Sequence, residues 1–215
     1  AKIVTFSGCD GSGKSTIVRN LFEIYTPCFP CSQAHLGKPF IENTFFKKVY
    51  SLNQKLKEKN NIEKFKFKKG LKVIALSCLR LFSSYYQYLR RFFGITILTD
   101  RWPSTCPNSI DGPKIFENNS NSLIVNFFNK LNIFIYKLIP NADLVIFLDT
   151  DYKKILERNA NREDSEPSSF LKKRYVDIVN SKPKSKKYII YENNKTLEEA
   201  IDDCLYLVSN FINKD

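Results

Sequence analysis

Methionine is absent from this 215-residue chain, and histidine and tryptophan each occur once. The missing methionine says nothing about chemistry. The single histidine bears on metals. Cys28 and Cys31 form a lone C-x-x-C ahead of His35, and no fourth ligand follows at a regular spacing. A structural zinc site is therefore not expected, and the six cysteines read as reduced structural thiols. No charged-then-apolar segment opens the chain. The most apolar stretch, Leu123 to Pro140, is interrupted by Asn126, Asn129, Lys130, Asn132 and Lys137, which is too polar for a membrane span. A cytoplasmic protein without a membrane partner is the expectation. Nor is there a repeat or a convincing domain boundary, and the length suits one domain with a full core.

Positive charge is abundant. Thirty-four Lys and Arg against 22 Asp and Glu give a formal charge of +12, which implies anionic company. The excess gathers in two places, Lys47 to Lys72 with ten lysines and Lys172 to Lys187 with seven Lys or Arg. Such runs are solvated faces, or they meet phosphorylated substrates, nucleic acid or a membrane surface.

The most specific signal is Gly8-Cys-Asp-Gly-Ser-Gly-Lys-Ser-Thr16, which follows the apolar run Ile3-Val-Thr-Phe6. Gly8 to Ser15 fits the phosphate-binding pattern G-x-x-x-x-G-K-[ST] in its strand–loop–helix setting. Gly8, Gly11 and Gly13 permit a backbone that a side chain would obstruct, so that successive N–H groups curl around a phosphate. A helix starting near Gly13 aims its positive end at the same anion. Lys14 supplies a mobile cation for the β- and γ-phosphates, and the Ser15 hydroxyl can ligate Mg²⁺.

Short β-branched runs alternate with longer helical patterns, which predicts an α/β fold with a parallel sheet. Strands are expected at Lys2–Ser7, Gln33–Leu36, Ile95–Thr99, Leu144–Leu148 and Tyr188–Tyr191. Helices are expected at Lys14–Tyr25, Leu71–Phe93, Ser122–Ile139, Tyr152–Arg162 and Thr196–Ile212. The last opens on Thr196-Leu-Glu-Glu199, a capping box. Residues 42–70 read as a basic peripheral helical excursion or a mobile flap, and residues 103–121 as a long ordered loop. Ligands of such sheets gather at the carboxyl ends of strands. Asp100 and Arg101 close one strand there, and Asp149 closes another. Arg80 lies mid-helix among Leu79, Leu81 and Phe82, so an inward guanidinium would need a carboxylate or phosphate partner. Arg158 and Arg162, four apart, share a helix face and could close over a nucleotide.

With these residues the chain resembles the thymidylate kinase group of P-loop nucleoside-monophosphate kinases, nearly end to end. The resemblance lies in Cys9-Asp10-Gly-Ser-Gly-Lys-Ser-Thr16, in Ile97-Leu-Thr-Asp100-Arg101-Trp102, in Ala142-Asp-Leu-Val-Ile-Phe-Leu-Asp149, and in the spacing of Arg80, Arg158 and Arg162. It implies a single domain over 1–215, a three-layer sandwich with a central five-stranded parallel sheet, and a lid at 150–170. It further implies that Gly8, Gly11, Ser12, Gly13, Lys14, Ser15 and Thr16 hold ATP, with Arg158 and Asn194 near the adenine. Ser15 and Asp100 would hold Mg²⁺. Arg80 and Arg101 would grip the acceptor phosphate, with Asp10 orienting a sugar hydroxyl and Arg162 stabilising the transferring group. The implied reaction is ATP- and Mg²⁺-dependent phosphoryl transfer to a small phosphorylated acceptor such as dTMP, and the group's habit implies a homodimer.

Two departures stand out. Where the group has an aromatic that stacks on thymine, this chain has Leu76; Tyr85, Tyr86 or Trp102 could replace it. After Trp102-Pro103 comes Ile110-Asp-Gly-Pro-Lys114 in place of a Ser/Thr-rich helix. That pattern is similar to a divergent branch often associated with polysaccharide biosynthesis, so a sugar phosphate is the alternative acceptor. The +12 charge also leaves room for a nucleic-acid-associated ATPase. A GTPase switch is disfavoured, since Asn194-Lys-Thr-Leu197 lacks the Asp of N-K-x-D.

Overall fold

The structure, a computed structural model, describes residues 1–36, 62–116, 123–160 and 167–213, with side chains from residue 67 onward in the second segment. Five strands, β1 (Ile3–Gly8), β2 (Cys31–His35), β3 (Thr96–Asp100), β4 (Ala142–Asp149) and β5 (Ser185–Glu192), form one parallel sheet ordered β2-β3-β1-β4-β5. Among the described residues there are six helices: α1 (Lys14–Tyr25), α2 (Ile62–Phe92), α3 (Leu123–Leu138), α4 (Tyr152–Ala160), α5 (Ser168–Asn180) and α6 (Leu197–Ile212). The α/β fold with a parallel sheet expected from the alternation is observed, in the five-stranded, P-loop-like three-layer arrangement that the resemblance implies.

Strand pleating sorts the core. Val4, Phe6, Leu98, Leu144, Ile146 and Leu148 face one side, where Ile17, Val18 and Leu21 of α1 and Ala200, Cys204 and Val208 of α6 cover them. Their neighbours in sequence, Ile3, Ile97 and Val145, face the opposite side. Phe147 points that way too, against Ile155 of α4 and Ile178 of α5. Because both faces are covered, the central strands are buried on both sides and rich in Ile, Val, Leu and Phe.

Helix α1 spans the predicted residues. Its N-cap, Gly13, sits at φ 87°, and no side chain caps it. The orphan N–H groups of its first turn are therefore left to a ligand. The capping box of α6 forms as read: Thr196 N–H donates to Glu199 Oε2 at 3.0 Å, and Glu199 N–H donates to Thr196 Oγ1.

Two expectations need correction. Helix α2 begins at Ile62, inside the tract assigned to the excursion. Lysine is a good helix former, and α3 holds this end: the Phe67 and Phe128 rings meet edge-on at 5.5 Å. A Cβ on Gly70 would strike the same Phe128 ring at 2.4 Å, so the helices approach closely there. Residues 42–61 of the excursion lie outside the described residues. Helix α5 was not predicted at all. Its basic residues mask an i, i+4 and i, i+7 spacing of Leu171, Tyr175 and Ile178, and Leu171 and Ile178 are buried. Of the expected loop, residues 103–116 are ordered, while 117–121 lie outside the described residues. No described helix is long and apolar enough to cross a membrane. All six cysteines carry free thiols.

Candidate functional site

Strand β1 delivers the glycine-rich loop to the carboxyl edge of the sheet. A Cβ on Gly8 would lie 2.8 Å from the Leu148 carbonyl oxygen of the adjacent strand, so only glycine fits the turn. Gly11 and Gly13 take φ of 93° and 87°, values that L side chains rarely adopt. Ser12 N–H donates to the Cys9 carbonyl at 3.0 Å and tightens the loop. Lys14 is buried; its ammonium donates to the Cys9 carbonyl at 2.6 Å and lies 4.0 Å from Asp10 Oδ1. Burial pulls the Lys14 pKa below its ordinary value, with Asp100 and Asp10 working against that shift. The Cys9 thiol is pushed up to about 11 by burial, which keeps it protonated and unreactive.

Strand β3 contributes three consecutive residues that diverge. Asp100 Oδ2 accepts a 2.5 Å hydrogen bond from the exposed Ser15 hydroxyl and lies 3.5 Å from His35 Nδ1. Burial would raise the Asp100 pKa; hydrogen bonds from His35 and Ser15 and the charge of Lys14 outweigh it and hold the carboxyl below its ordinary value. Asp100 Oδ1 is buried and has no hydrogen-bond partner among the described residues. A hydroxyl beside a carboxylate with a spare buried oxygen suits a hard cation such as Mg²⁺.

Arg101 follows in the left-handed region, at φ 71°. Strain of this kind costs roughly 1–3 kcal/mol and persists only where surroundings over-determine it. Here the Arg101 N–H donates to the Phe6 carbonyl at 3.0 Å and its carbonyl accepts from Thr99 Oγ1. The kink turns the guanidinium into the cleft and sends Trp102 the other way.

In the cleft, arginines and carboxylates alternate. Arg101 Nη2 donates to Asp10 Oδ1, and Arg174 Nη1 of α5 donates to Asp10 Oδ2 at 2.6 Å. Burial alone would raise the Asp10 pKa; Arg101, Lys14 and Arg174 together hold it below its ordinary value. On the other side, Asp111 Oδ2 lies 3.7 Å from Arg101 Nη1, and Asp111 Oδ1 lies 3.8 Å from Arg80 Nη2. Arg80 Nη1 also donates to the Tyr136 hydroxyl at 2.7 Å. Burial raises the Asp111 pKa further than Arg101 and Arg80 lower it.

Across the loop, Arg158 of α4 donates to the Gly11 carbonyl at 3.2 Å. Asn193, at the end of β5, donates Nδ2 to the Ser12 carbonyl at 2.7 Å and is almost fully buried.

The expected residues thus divide. Gly8, Asp10, Gly11, Ser12, Gly13, Lys14, Ser15, Asp100, Arg101, Arg80 and Arg158 converge on one cleft. Thr16 is half-buried in the first turn of α1, where its carbonyl accepts from Asn20. Leu76 is half-buried on α2, four residues before Arg80 and so on the same helix face. Arg162 lies outside the described residues, as does the lid from 161 to 166. One assignment is corrected. Trp102 is fully buried among Ile3, Ile97 and Val145, with its indole N–H on the Pro140 carbonyl at 3.0 Å, so it offers no stacking surface. Asn194 is exposed and accepts from the Asp151 N–H at 3.4 Å; its neighbour Asn193 is the one that reaches the loop.

Sequence reasoning missed Asn193, Arg174 and the pairing role of Asp111. Asn193 directly precedes Asn194, the residue expected near the adenine, and which of the two turns toward the loop depends on the backbone that leaves β5. Arg174 carried no local signal, because its partner lies 164 positions away.

Chemically, the cleft combines an anion cradle with a buried ammonium, an oxygen pair suited to a divalent cation, and a second basic pocket that shares Asp10 with the cradle. No protein-family model matches the chain, and no curated protein matches it.

Proposed function

We propose that this protein is a cytoplasmic phosphotransferase that moves the γ-phosphoryl group of ATP, with Mg²⁺, to a small phosphorylated acceptor, in the first instance a nucleoside monophosphate such as dTMP. The observation that carries the reading is Asp10, a residue of the phosphate loop whose carboxylate pairs with Arg101 and Arg174 of the neighbouring basic pocket. A side chain shared by the loop and the basic pocket keeps the two anion sites adjacent, and phosphoryl transfer depends on such proximity.

In this reading Lys14 and the first-turn amides of α1 hold the β- and γ-phosphates. Ser15 and Asp100 would hold Mg²⁺, which supplies charge neutralisation on the transferring phosphoryl group. Arg80 and Arg101 position the acceptor's phosphate oxygen in line with the γ-phosphorus; the bond to that oxygen forms as the bond to the β–γ bridging oxygen breaks, releasing ADP. Arg158 borders the nucleotide side, and Arg162 is assigned to the transferring charge by resemblance alone.

A second acceptor class, a sugar phosphate, is favoured by the burial of Trp102 and the aliphatic character of Leu76, which remove two aromatic platforms for a base. Incubating the purified protein with ATP, Mg²⁺ and a panel of acceptors separates the readings. Formation of dTDP supports the nucleotide acceptor; ATP consumption with a sugar phosphate but not dTMP supports the sugar; no transfer to any phosphorylated acceptor rejects both.

The partner proposed for the exposed face of α2 is a second copy of the chain, as the resemblance implies. Phe82, Tyr86, Leu89 and Phe93 lie along one stripe there, all more than half exposed.

A further inference from the structure

Asp111 stands at the centre of the basic pocket and has no place in the scheme above. Its backbone cannot easily move. The Asp111 carbonyl accepts from Ser104 N–H at 3.0 Å, Gly112 N–H donates to the Ser109 carbonyl at 3.2 Å, and Asn108 N–H donates to the Pro113 carbonyl at 2.8 Å. Gly112 is wedged so closely that a Cβ would fall 1.9 Å from the Cys106 carbonyl oxygen. Two residues on, the Lys114 carbonyl accepts from Asn132 Nδ2 of α3 at 2.8 Å, and Asn132 in turn accepts from Ser77 of α2. The loop is thereby fastened to the helix that carries Arg80.

The carboxylate itself is loosely paired. It sits 3.7 and 3.8 Å from the two guanidinium groups, and its Oδ1 is buried without a hydrogen-bond donor among the described residues. In the chain Arg80–Asp111–Arg101–Asp10–Arg174, guanidinium groups alternate with carboxylates, and the Lys14 ammonium lies 4.0 Å from Asp10. A doubly charged phosphomonoester entering between Arg80 and Arg101 meets a fixed anion already there; a singly charged group meets half that repulsion.

We propose that Asp111 is a specificity-determining residue, a fixed carboxylate that competes with the acceptor's phosphate for Arg80 and Arg101 and so favours a singly charged phosphate group over a doubly charged one. The acceptor class this selects carries a phosphodiester, or a phosphomonoester bound in its singly protonated form. The inference rests on reading the Arg80–Arg101 pair as the acceptor's phosphate site.

The test compares binding of dTMP, doubly charged at pH 8, with its 5′-methyl ester, singly charged, to the wild-type protein, Asp111→Asn and Asp111→Ser by calorimetry. Both variants should tighten dTMP by about ten-fold, tighten the methyl ester by only about three-fold, as half the repulsion requires, and leave ATP affinity unaltered. Adding Arg80→Gln to Asp111→Asn should erase the gain, which a merely structural effect would not do. An unchanged preference between the two ligands, or weaker dTMP binding in folded variants, overturns the proposal. Should no variant bind either nucleotide, the nucleotide-acceptor reading is lost, and methyl phosphate against dimethyl phosphate decides Asp111 by the same ratio. That pair is measured with Lys14→Met in every protein to silence the loop. An unaltered ratio there overturns the inference on its own.

Discussion

Lys14 and Asp10 show how much a buried charge depends on its partners. Removing the ammonium with Lys14→Met should lower kcat for phosphoryl transfer by about 10²–10³-fold, on the scale of losing one transition-state donor. Because burial disfavours the charged form of Lys14, the same variant should melt at an equal or higher temperature in the absence of ligand. Unaffected turnover would place the site elsewhere. Asp10 behaves oppositely. Its pKa is held below the ordinary carboxylate value, so its stabilising contribution is present above the unfolded pKa, about 3.9. It is lost as pH falls through the lower folded value. Arg174→Gln removes one of the cations responsible, and the acid-unfolding midpoint followed by circular dichroism should move to higher pH. An unmoved midpoint would mean that the Asp10–Arg174 pair contributes nothing to stability.

At the scale of elements, the decisive features are ends of strands and the loops that leave them. The segment from Ser104 to Lys114 is pinned by its own backbone hydrogen bonds, and Gly112 is the position with no room for a side chain. Gly112→Ala should cost about 1–3 kcal/mol of stability by overpacking, read as a lower melting temperature. It should also lower KM for a doubly charged acceptor such as dTMP while leaving KM for ATP unchanged, because Asp111 moves away from Arg80 and Arg101 and Lys14 does not move. A matching change in both constants would show that the loop serves the fold and not the acceptor pocket. Elements were legible in the sequence where a single period dominated. The alternating apolar strands and the helix after the glycine loop needed no tertiary information. Helix α5 was not legible, because Lys172, Lys173 and Arg174 broke up the apolar spacing that buries Leu171 and Ile178.

For the whole molecule, the strand order places β1 between β3 and β4, and the glycine loop, Asp100-Arg101 and Asn193 therefore meet at one edge of the sheet. On the opposite flank of α2, Phe82, Tyr86, Leu89 and Phe93 are left exposed at 55 to 77%. Sedimentation equilibrium should give twice the chain mass at micromolar concentration, and the double variant Phe82→Glu/Leu89→Glu should sediment as a monomer. A wild-type monomer would reject the second copy as the occupant of this face.

What the sequence determined by itself was everything set by local spacing. The glycine loop, the alternation of strands and helices, the capping box at Thr196 and the rank of Asp100-Arg101 at a strand end all follow from residues a few positions apart. The tertiary structure decided which side of the backbone each side chain took and which distant partner it met. The left-handed turn at Arg101 put Trp102 in the core and not in the cleft, and the backbone that leaves β5 chose Asn193 over Asn194. Asp10 found Arg174, and Arg80 found Asp111, across chain separations that no periodicity encodes. Pairing of charges is a matter of distance in space, and only the packed sheet fixes that distance.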